Sequence, residues 1–356
     1  MTPSIEVYDD LSAMPDSGLA LLRSGEQASF DLGAAWFDLL SGHALTADSR
    51  ARYYALLDDD VVRCILPLRF RDRRQVRGLT TFYTTLFRPL LAPALGPESL
   101  ARLIRRALDD AGASSIRLDA METGHPSFAT TLTAMRLAGL RAYRYFSHGN
   151  WYQPAKGLSF DAYFSSLSGR VRNTVRRGEK KFLAEGHGRV EIISGDPSDL
   201  ERAIDAWDRI YAASWKRPEP FPGFMPGLIR LCAERRWLRM GVAYHDDIPI
   251  AAQLWIVNAG RAAIYKLAYH QAYGRFSAGT ILTARLMRHA LDEDRVEEVD
   301  YLVGDDRYKK DWMTSRRERM GIVAYDWRRW HGLRGMLTQE LGQVWRRLRR
   351  IGEPAP

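Results

Sequence analysis

The stretch with the most evident chemistry is a strand, a short loop and a helix: AAIYKLAYH, then QAYGRFS, then AGTILTARLMRHALD. Gly274, Gly279 and the small residues Ser277, Ala278 and Thr280 stand where that helix begins. The first N–H groups of an α-helix have no intrahelical acceptor, and the helix dipole favours an anion beside them. The pattern therefore reads as a phosphate cradle, with Arg275 supplying a cation from the same loop. The same letters also read as a helix that Ser277 caps and that Gly279 allows to pack closely.

Other chemistries have little support. The eight histidines occur singly, without HxxxH or HxxEH spacing, and there is no cysteine pair, so no metal site is expected. Neither a GxSxG elbow nor a GxxxxGK[S/T] loop is present, which disfavours elbow-type hydrolases and P-loop nucleotide hydrolases. Cys64 and Cys232 each lie in an apolar stretch and read as reduced and structural. Gln253 interrupts the apolar run IAAQLWIV, where a buried amide either faces a ligand or satisfies neighbouring backbone. On the next strand Tyr265 and Lys266 alternate, so only one of them points into a cleft. Ser214, Trp215 and Lys216 end a helix ahead of a stiff loop holding Pro218, Pro220, Pro222 and Pro226, and a lysine there also suits the helix dipole.

Lys and Arg number 52 against 43 Asp and Glu, and the surplus of +9 is localised. Residues 169–181 hold six basic residues and one acid, residues 326–350 seven Arg and two acids, and the remainder is near neutral. That distribution points to surfaces facing a phosphate-bearing ligand, a nucleic acid or an anionic membrane. In the first segment Val171, Val175 and Phe182 form an apolar stripe, with Arg172, Arg176, Arg177, Lys180 and Lys181 elsewhere around the helix. In the second, Trp330, Leu337, Leu341, Val344, Trp345 and Leu348 form a stripe bordered by Arg, which suits an interfacial membrane helix, a partner groove or a terminal helix packed on its domain. The longest apolar stretch, 248–265, is broken by Gln253, Asn258 and Arg261 and is too polar for a span of roughly 20 residues. The first residues lack the basic start and apolar block of a secretory signal, so a cytoplasmic location is expected.

A chain of 356 residues, 46% hydrophobic and 27% charged, is expected to form about two globular units. The boundary is placed in the aromatic stretch 143–154, giving domains 1–150 and 151–326 and a basic amphipathic helix at 327–356. In the first half the patterning predicts helices at 34–40, 97–110 and 127–139 and strands at 53–57, 61–70, 79–86 and 115–119. In the second it predicts helices at 160–185, 199–215, 227–236 and 278–292 and strands at 190–193, 238–244, 248–257, 261–269 and 298–303. Both halves thus read as α/β units with a mixed sheet.

SGRVRNTVRRGEKK, Ser214–Trp215–Lys216, IPIAAQLW, AYGRFSAGT and the closing VDYLVGDDRYKKDW, spanning about residues 160–325, resemble the GNAT acyltransferase superfamily. The closer resemblance is to the branch shared by Fem-type peptidyltransferases and the acetyltransferase-like proteins of cellulose and exopolysaccharide biosynthesis. VRCILPLRF and LTTFYTTLFRPL resemble the N-terminal GNAT-like unit of the same proteins. The superfamily's phosphate-loop pattern is matched by Arg275, Ala278 and Gly279 only. The resemblance implies an α/β fold of tandem GNAT-like domains, each a mixed, largely antiparallel sheet flanked by helices. It implies transfer from an acyl-CoA-type donor such as acetyl-CoA, without a metal, to an amine of a sugar, an amino acid or a cell-envelope or exopolysaccharide precursor.

On the same footing, Arg275, Ser277, Ala278, Gly279 and Thr280 are assigned to the donor, and Trp215, Lys216, Gln253, Tyr265 and Asp300 to the substrates. Asp305, Tyr308 and Lys309 are assigned to catalysis. The carboxylate would hold or deprotonate the incoming ammonium, the phenol would protonate the leaving group, and the lysine would stabilise the oxyanion or bind an acidic acceptor. Without the resemblance, VGDDRYKKDW reads as a solvated turn with Tyr308 and Trp312 packed into the core. Two alternatives stay open: an aminoacyl-tRNA donor held by the 169–181 surface, and a non-catalytic, membrane-peripheral scaffold in envelope polysaccharide assembly.

Overall fold

A computed structural model describes residues 3–72, 74–184 and 188–351 of the chain. It divides into two units, Met1–Ser147 with Glu318–Pro356, and His148–Arg317. In chain order the first holds β1 (Ser4–Tyr8), α1 (Asp16–Glu26), α2 (Ala34–His43), β2 (Arg50–Asp58), β3 (Val61–Phe70), β4 (Gln75–Gly78), β5 (Leu90–Leu91), α3 (Pro97–Ala111), β6 (Ser115–Glu122) and α4 (Pro126–Leu137). The long strand β7 (Arg141–Pro154) carries the chain into the second unit. There follow α5 (Phe160–Ser166), α6 (Gly169–Ala184), β8 (Gly188–Ile193), α7 (Pro197–Ala212), α8 (Phe224–Glu234), β9 (Leu238–His245), β10 (Ile248–Asn258), β11 (Arg261–Tyr269), α9 (Ala278–Arg288) and β12 (Glu298–Asp300). β13 (Ser315–Tyr325) returns the chain to the first unit, which includes α10 (Trp330–Ile351).

Strands of the first unit are ordered β1-β2-β3-β4-β6-β13 and those of the second β7-β12-β11-β10-β9-β8. Within each unit the pairs are antiparallel except at one junction, β4–β6 in the first and β11–β12 in the second. A mixed, largely antiparallel sheet flanked by helices is therefore built twice. In the first unit α3 sets Leu100, Leu103, Ile104, Ala107 and Leu108 on one face, all buried against Leu66, Val76, Ile116 and Leu118 of the sheet. In the second, Val171 and Val175 of α6 and Leu286 and Met287 of α9 share a core with Trp255 and Ile264. Cys64 and Cys232 are free and buried, and burial pushes both thiols up.

The patterning does not anticipate β1, α1, β4, β5, β7 or β13, and three further elements and one boundary differ from it, each for a local reason. Residues 79–86 are no strand: the Asp31 carboxylate accepts from the Thr85 and Leu86 N–H groups and the Thr85 hydroxyl, and the Thr81 and Thr84 hydroxyls accept from nearby amides. Such side-chain acceptors compete with a ladder. The helix expected over 160–185 is two, because Leu167 is extended and Ser168 restarts the chain as a cap for α6. The strand expected at 298–303 ends at Asp300, whose carboxylate takes the Leu302 N–H at 2.6 Å. The chain leaves the second unit at Arg317 rather than at 326, since Arg319–Tyr325 of β13 ladders onto β6, and the C-terminal helix joins the first unit.

Asp300 is the knot of the second unit. Its carboxylate is buried, pairs with Arg317 and accepts from Asn150 Nδ2. Arg317 also forks onto Glu298 at 2.7 and 3.0 Å and donates to Asn150 Oδ1. β12, β7 and the start of β13 are tied together at the point where β12 stops. Asp300→Ala would leave the Arg317 charge without its buried partner, so urea unfolding should show a loss of about 3–5 kcal/mol, while Glu298→Gln, at the more exposed end of the fork, should cost less.

Candidate active site

β11 and β12 pair in parallel over three residues only, Arg261–Ala263 with Glu298–Asp300, and then part. Beyond that point lies a cavity of about 460 Å³. Leu267 and Tyr269 line it from β11, Gln253 from β10, and Tyr301 from the chain just past β12. Arg170, Val171 and Thr174 of α6 and Gly279, Thr280 and Thr283 of α9 face it, and Trp215, Tyr308, Asp311 and Trp312 complete the wall. A β-bulge prepares the parting. Leu254 faces Lys266 but Trp255 faces Ile264, so Tyr265 is an extra residue in β11. Past the bulge Leu267 and Tyr269 line the cavity, while Lys266, just ahead of them, pairs with Glu219.

The start of α9 is held from both sides. Phe276 is fully buried, its ring centroid 6.1 Å from Phe182 and 4.6 Å from His245, which anchors the loop before the helix. Ser277 then turns the chain with a left-handed φ of 54°, and Thr280 and Ile281 donate to its carbonyl at 2.9 and 3.1 Å. The Ser277 side chain makes no capping bond, and a side chain added at Gly279 would meet nothing nearer than Tyr269 at 3.9 Å. Neither capping nor close packing explains these residues. The helix start, with the Ala278 and Gly279 amides ahead of the first intrahelical bonds, opens onto the cavity at Gly279 and Thr280. Gln253 secures it: the amide nitrogen donates to Gly279 O and Thr283 Oγ1, each at 2.8 Å, and the amide oxygen accepts from Trp255 Nε1 at 3.0 Å.

Of the residues assigned to the donor, Gly279 and Thr280 line the cavity. Ala278 is buried, and the Arg275 guanidinium lies over the Phe276 ring at 4.7 Å. Of those assigned to catalysis, only Tyr308 is in the lining. Burial pushes its phenol up to about 12, helped by the charge of Asp306. Asp305 stands apart from the cavity: Arg316 clamps both its oxygens at 2.7–3.2 Å and Trp151 Nε1 donates at 2.7 Å, which holds its carboxyl below the usual carboxylate range. Lys309 is buried beneath its turn, donating to the carbonyls of Tyr301 and Val303 and pairing with Asp306 at 3.5 Å. Burial pushes its amine down. Asp300 and Tyr265 likewise lie outside the lining, whereas Trp215 is in it, its ring tilted against that of Tyr269 with centroids 4.4 Å apart.

Lys216 follows Trp215 and sits among charges. Burial and the nearby charges of Lys266 and Lys309 lower its amine to about 8, against the opposing pull of Glu219 and Asp306. Its ammonium lies 5.8 Å from the centre of the Tyr211 ring. The patterning did not single out Arg170, Tyr269, Tyr301 or Asp311, and Arg170 and Asp311 form an ion pair at 2.7 Å in the cavity wall. Only the folded chain brings these positions together, and no local motif marks them. Among the described residues no cluster of three or more His, Cys, Asp or Glu side chains is placed to hold a metal ion.

Residues 169–310 match the family described as Acetyltransferase (GNAT) domain, a segment containing the whole cavity lining except Asp311 and Trp312. No curated protein matches the chain. Among solved structures the chain is similar to FemX, with a TM-score of 0.60 and 13% identity over 90% of this chain and 97% of that one. It is similar to L-PGS from Bacillus licheniformis, with a TM-score of 0.52 and 12% identity over 85% of this chain and 95% of that one. A tandem GNAT protein from the clavulanic acid biosynthesis pathway gives a TM-score of 0.52 and 12% identity over 90% of this chain and 98% of that one. The structural likenesses show the fold, and the domain matched at residues 169–310 supports an acyltransferase.

Gln253→Leu should keep the volume of the side chain while leaving Trp255 Nε1 without its acceptor and removing the amide that donates to Gly279 O and Thr283 Oγ1. Denaturant unfolding should register a loss of about 1–3 kcal/mol, and amide exchange at Gly279 and Thr280 should quicken.

Proposed function

We propose that the second unit transfers an acyl group from an acyl-CoA-type thioester, acetyl-CoA included, to an amine of a sugar, an amino acid or a cell-envelope or exopolysaccharide precursor. What carries this reading is one observation: a helix start open at Gly279 and Thr280 and the parting of β11 from β12 share a single cavity with Tyr308. The thioester, when bound, supplies the activated acyl carbon and the sulfur leaving group. The amides of Ala278 and Gly279 would hold its diphosphate, and Arg275 adds positive charge from the same loop. Trp215 and Tyr269 form an aromatic wall for the acyl or acceptor group.

Proton transfer falls to two residues flanking that wall. Lys216, neutral above about pH 8, takes the proton of the attacking ammonium. The nitrogen–carbon bond forms, the carbon–sulfur bond breaks, and Tyr308, still protonated at neutral pH, gives its proton to the departing sulfur and takes up the second proton that the nitrogen sheds. Lys309 acts as a positioning residue: it ties the Tyr301 and Val303 carbonyls beneath the turn that presents Tyr308. Asp305 positions the same turn through Arg316 and Trp151.

A second reading keeps the transfer and replaces the donor with an aminoacyl-tRNA. The observation in its favour is the exposed basic surface of α6, Arg176, Arg177, Lys180 and Lys181, on the helix whose Arg170 and Thr174 reach the cavity. Calorimetric titration separates the two. Saturable binding of CoA that Thr280→Glu abolishes supports the thioester. No saturable heat at millimolar CoA, with tRNA binding whose logarithm falls linearly with log salt, supports the tRNA donor.

The pH profile tests the proton assignments. kcat/KM should climb as pH rises through about 8 and then level off, because Lys216 acts as a base only when neutral. The groups around it, Lys266, Glu219, Lys309 and Asp306, shape that limb. Lys216→Arg, which stays charged, should flatten the rise and lower the rate by about 10²-fold or more, as should Tyr308→Phe in rate alone. A wild-type profile that is flat between pH 7 and 9 would remove Lys216 from the reaction.

A further inference from the structure

α10 has two unlike faces. One is packed on the first unit so closely that a Cβ at Gly332 would lie 2.1 Å from Asp326 O, and one at Gly335 2.6 Å from the Tyr325 ring. On the same side Glu340 accepts from the Tyr143 hydroxyl at 2.6 Å. The opposite face carries Trp330, Leu337 and Leu341, 72%, 48% and 70% exposed, with Arg334 between them and Trp327, 53% exposed, just ahead of the helix. These positions recur at three- and four-residue steps, so they form one stripe. In the sequence the stripe continues through Val344, Trp345 and Leu348, whose side chains lie outside the described residues.

Charge decides which partner suits that stripe. Near the start of α10 the arginines are neutralised: Arg328 pairs with Asp326, and Arg329 with Asp109. From Leu341 to Ile351 the helix carries Arg346, Arg347, Arg349 and Arg350 and no acid. A nucleic acid would use the arginines and leave four large apolar side chains in water, and a second copy would meet the same basic run head on. An anionic lipid surface satisfies both, taking the Trp and Leu side chains at the headgroup boundary and the arginines against phosphates. No helix among the described residues is long and apolar enough to cross a membrane.

We infer that α10 is a membrane-docking helix that lays its Trp330–Leu337–Leu341 stripe on an anionic lipid surface. The stripe shares no residue with the cavity lining of the second unit, and its test does not depend on which acyl donor that cavity takes.

The test is sedimentation of the full chain with vesicles of phosphatidylcholine alone and of equal parts phosphatidylcholine and phosphatidylglycerol. Binding is expected to the mixed vesicles only, with weakening as salt rises. Leu337→Glu with Leu341→Glu should reduce it by about a hundredfold, the loss expected from two leucine side chains that no longer leave water. Trp330→Ala, a milder change, should reduce it in part, and unaltered thermal unfolding of both variants would show that they fold. No sedimentation with the mixed vesicles at low salt overturns the inference. So does binding that the double substitution leaves unchanged. A wild-type dimer in light scattering that the same substitutions turn into monomer, with no vesicle binding by either, would instead assign the stripe to a second copy.

Discussion

A buried carboxylate, Asp300, stands at the point on which the site depends. Parallel strands β11 and β12 hold together for three residues, and at the third Asp300 pairs with Arg317 and takes the Leu302 N–H for itself. β12 stops there because its last side chain binds the amide that a longer ladder would have used. The bulge at Tyr265 does the complementary work on β11, changing the facing of the strand just where its neighbour leaves. An opening between two strands of a sheet leaves backbone groups without ladder partners, so it persists only where buried bonds hold the strands apart.

The two units build the same sheet and treat its single parallel junction differently. In the first, the chain past β4 folds back: the Phe87 N–H donates to Ala120 O of β6 at 3.0 Å, and the Phe87 ring lies against Gly78. Asp31, buried and accepting from Thr85 and Leu86, holds that segment in place. In the second, the corresponding parting opens into the aromatic cavity lined by the start of α9. One fold therefore closes the space beside its parallel pair in one unit and leaves a cavity there in the other, and the difference lies in what fills that gap.

Three lysines near that gap show how burial sorts like residues into unlike roles. Lys309 is tied to two carbonyl oxygens and Lys266 to Glu219, so each amine has a structural duty. Lys216, pushed down first by burial and then by the charges of both, has its amine lowered to about 8. The exposed carboxylate of Asp305, by contrast, is held ionised by Arg316, which makes it a poor proton acceptor however close in sequence it lies to Tyr308.

Much of the fold was legible in the letters. The hairpin turns at 245–247 and 258–260, the amphipathic α3 and α6 and the start of α9 all follow from short-range patterns, because periodicity and turn chemistry depend on residues a few places apart. Gly279, Thr280, Trp215, Gln253 and Tyr308, which stand out in the letters, all line one cavity. What the letters could not decide is which of several charged neighbours reaches the cavity. Asp305 and Lys309 flank Tyr308 in sequence yet turn away, to Arg316 and to the carbonyls of Tyr301 and Val303. Arg170, Tyr269 and Tyr301 arrive from elements up to 131 positions apart, and only packing puts them on one wall. The sequence by itself determined the elements and their amphipathic faces, which are local properties of the chain. The tertiary structure alone decided where a strand stops, which gap stays open and which ionisable group is desolvated, since each of these depends on burial and on partners that no local pattern specifies.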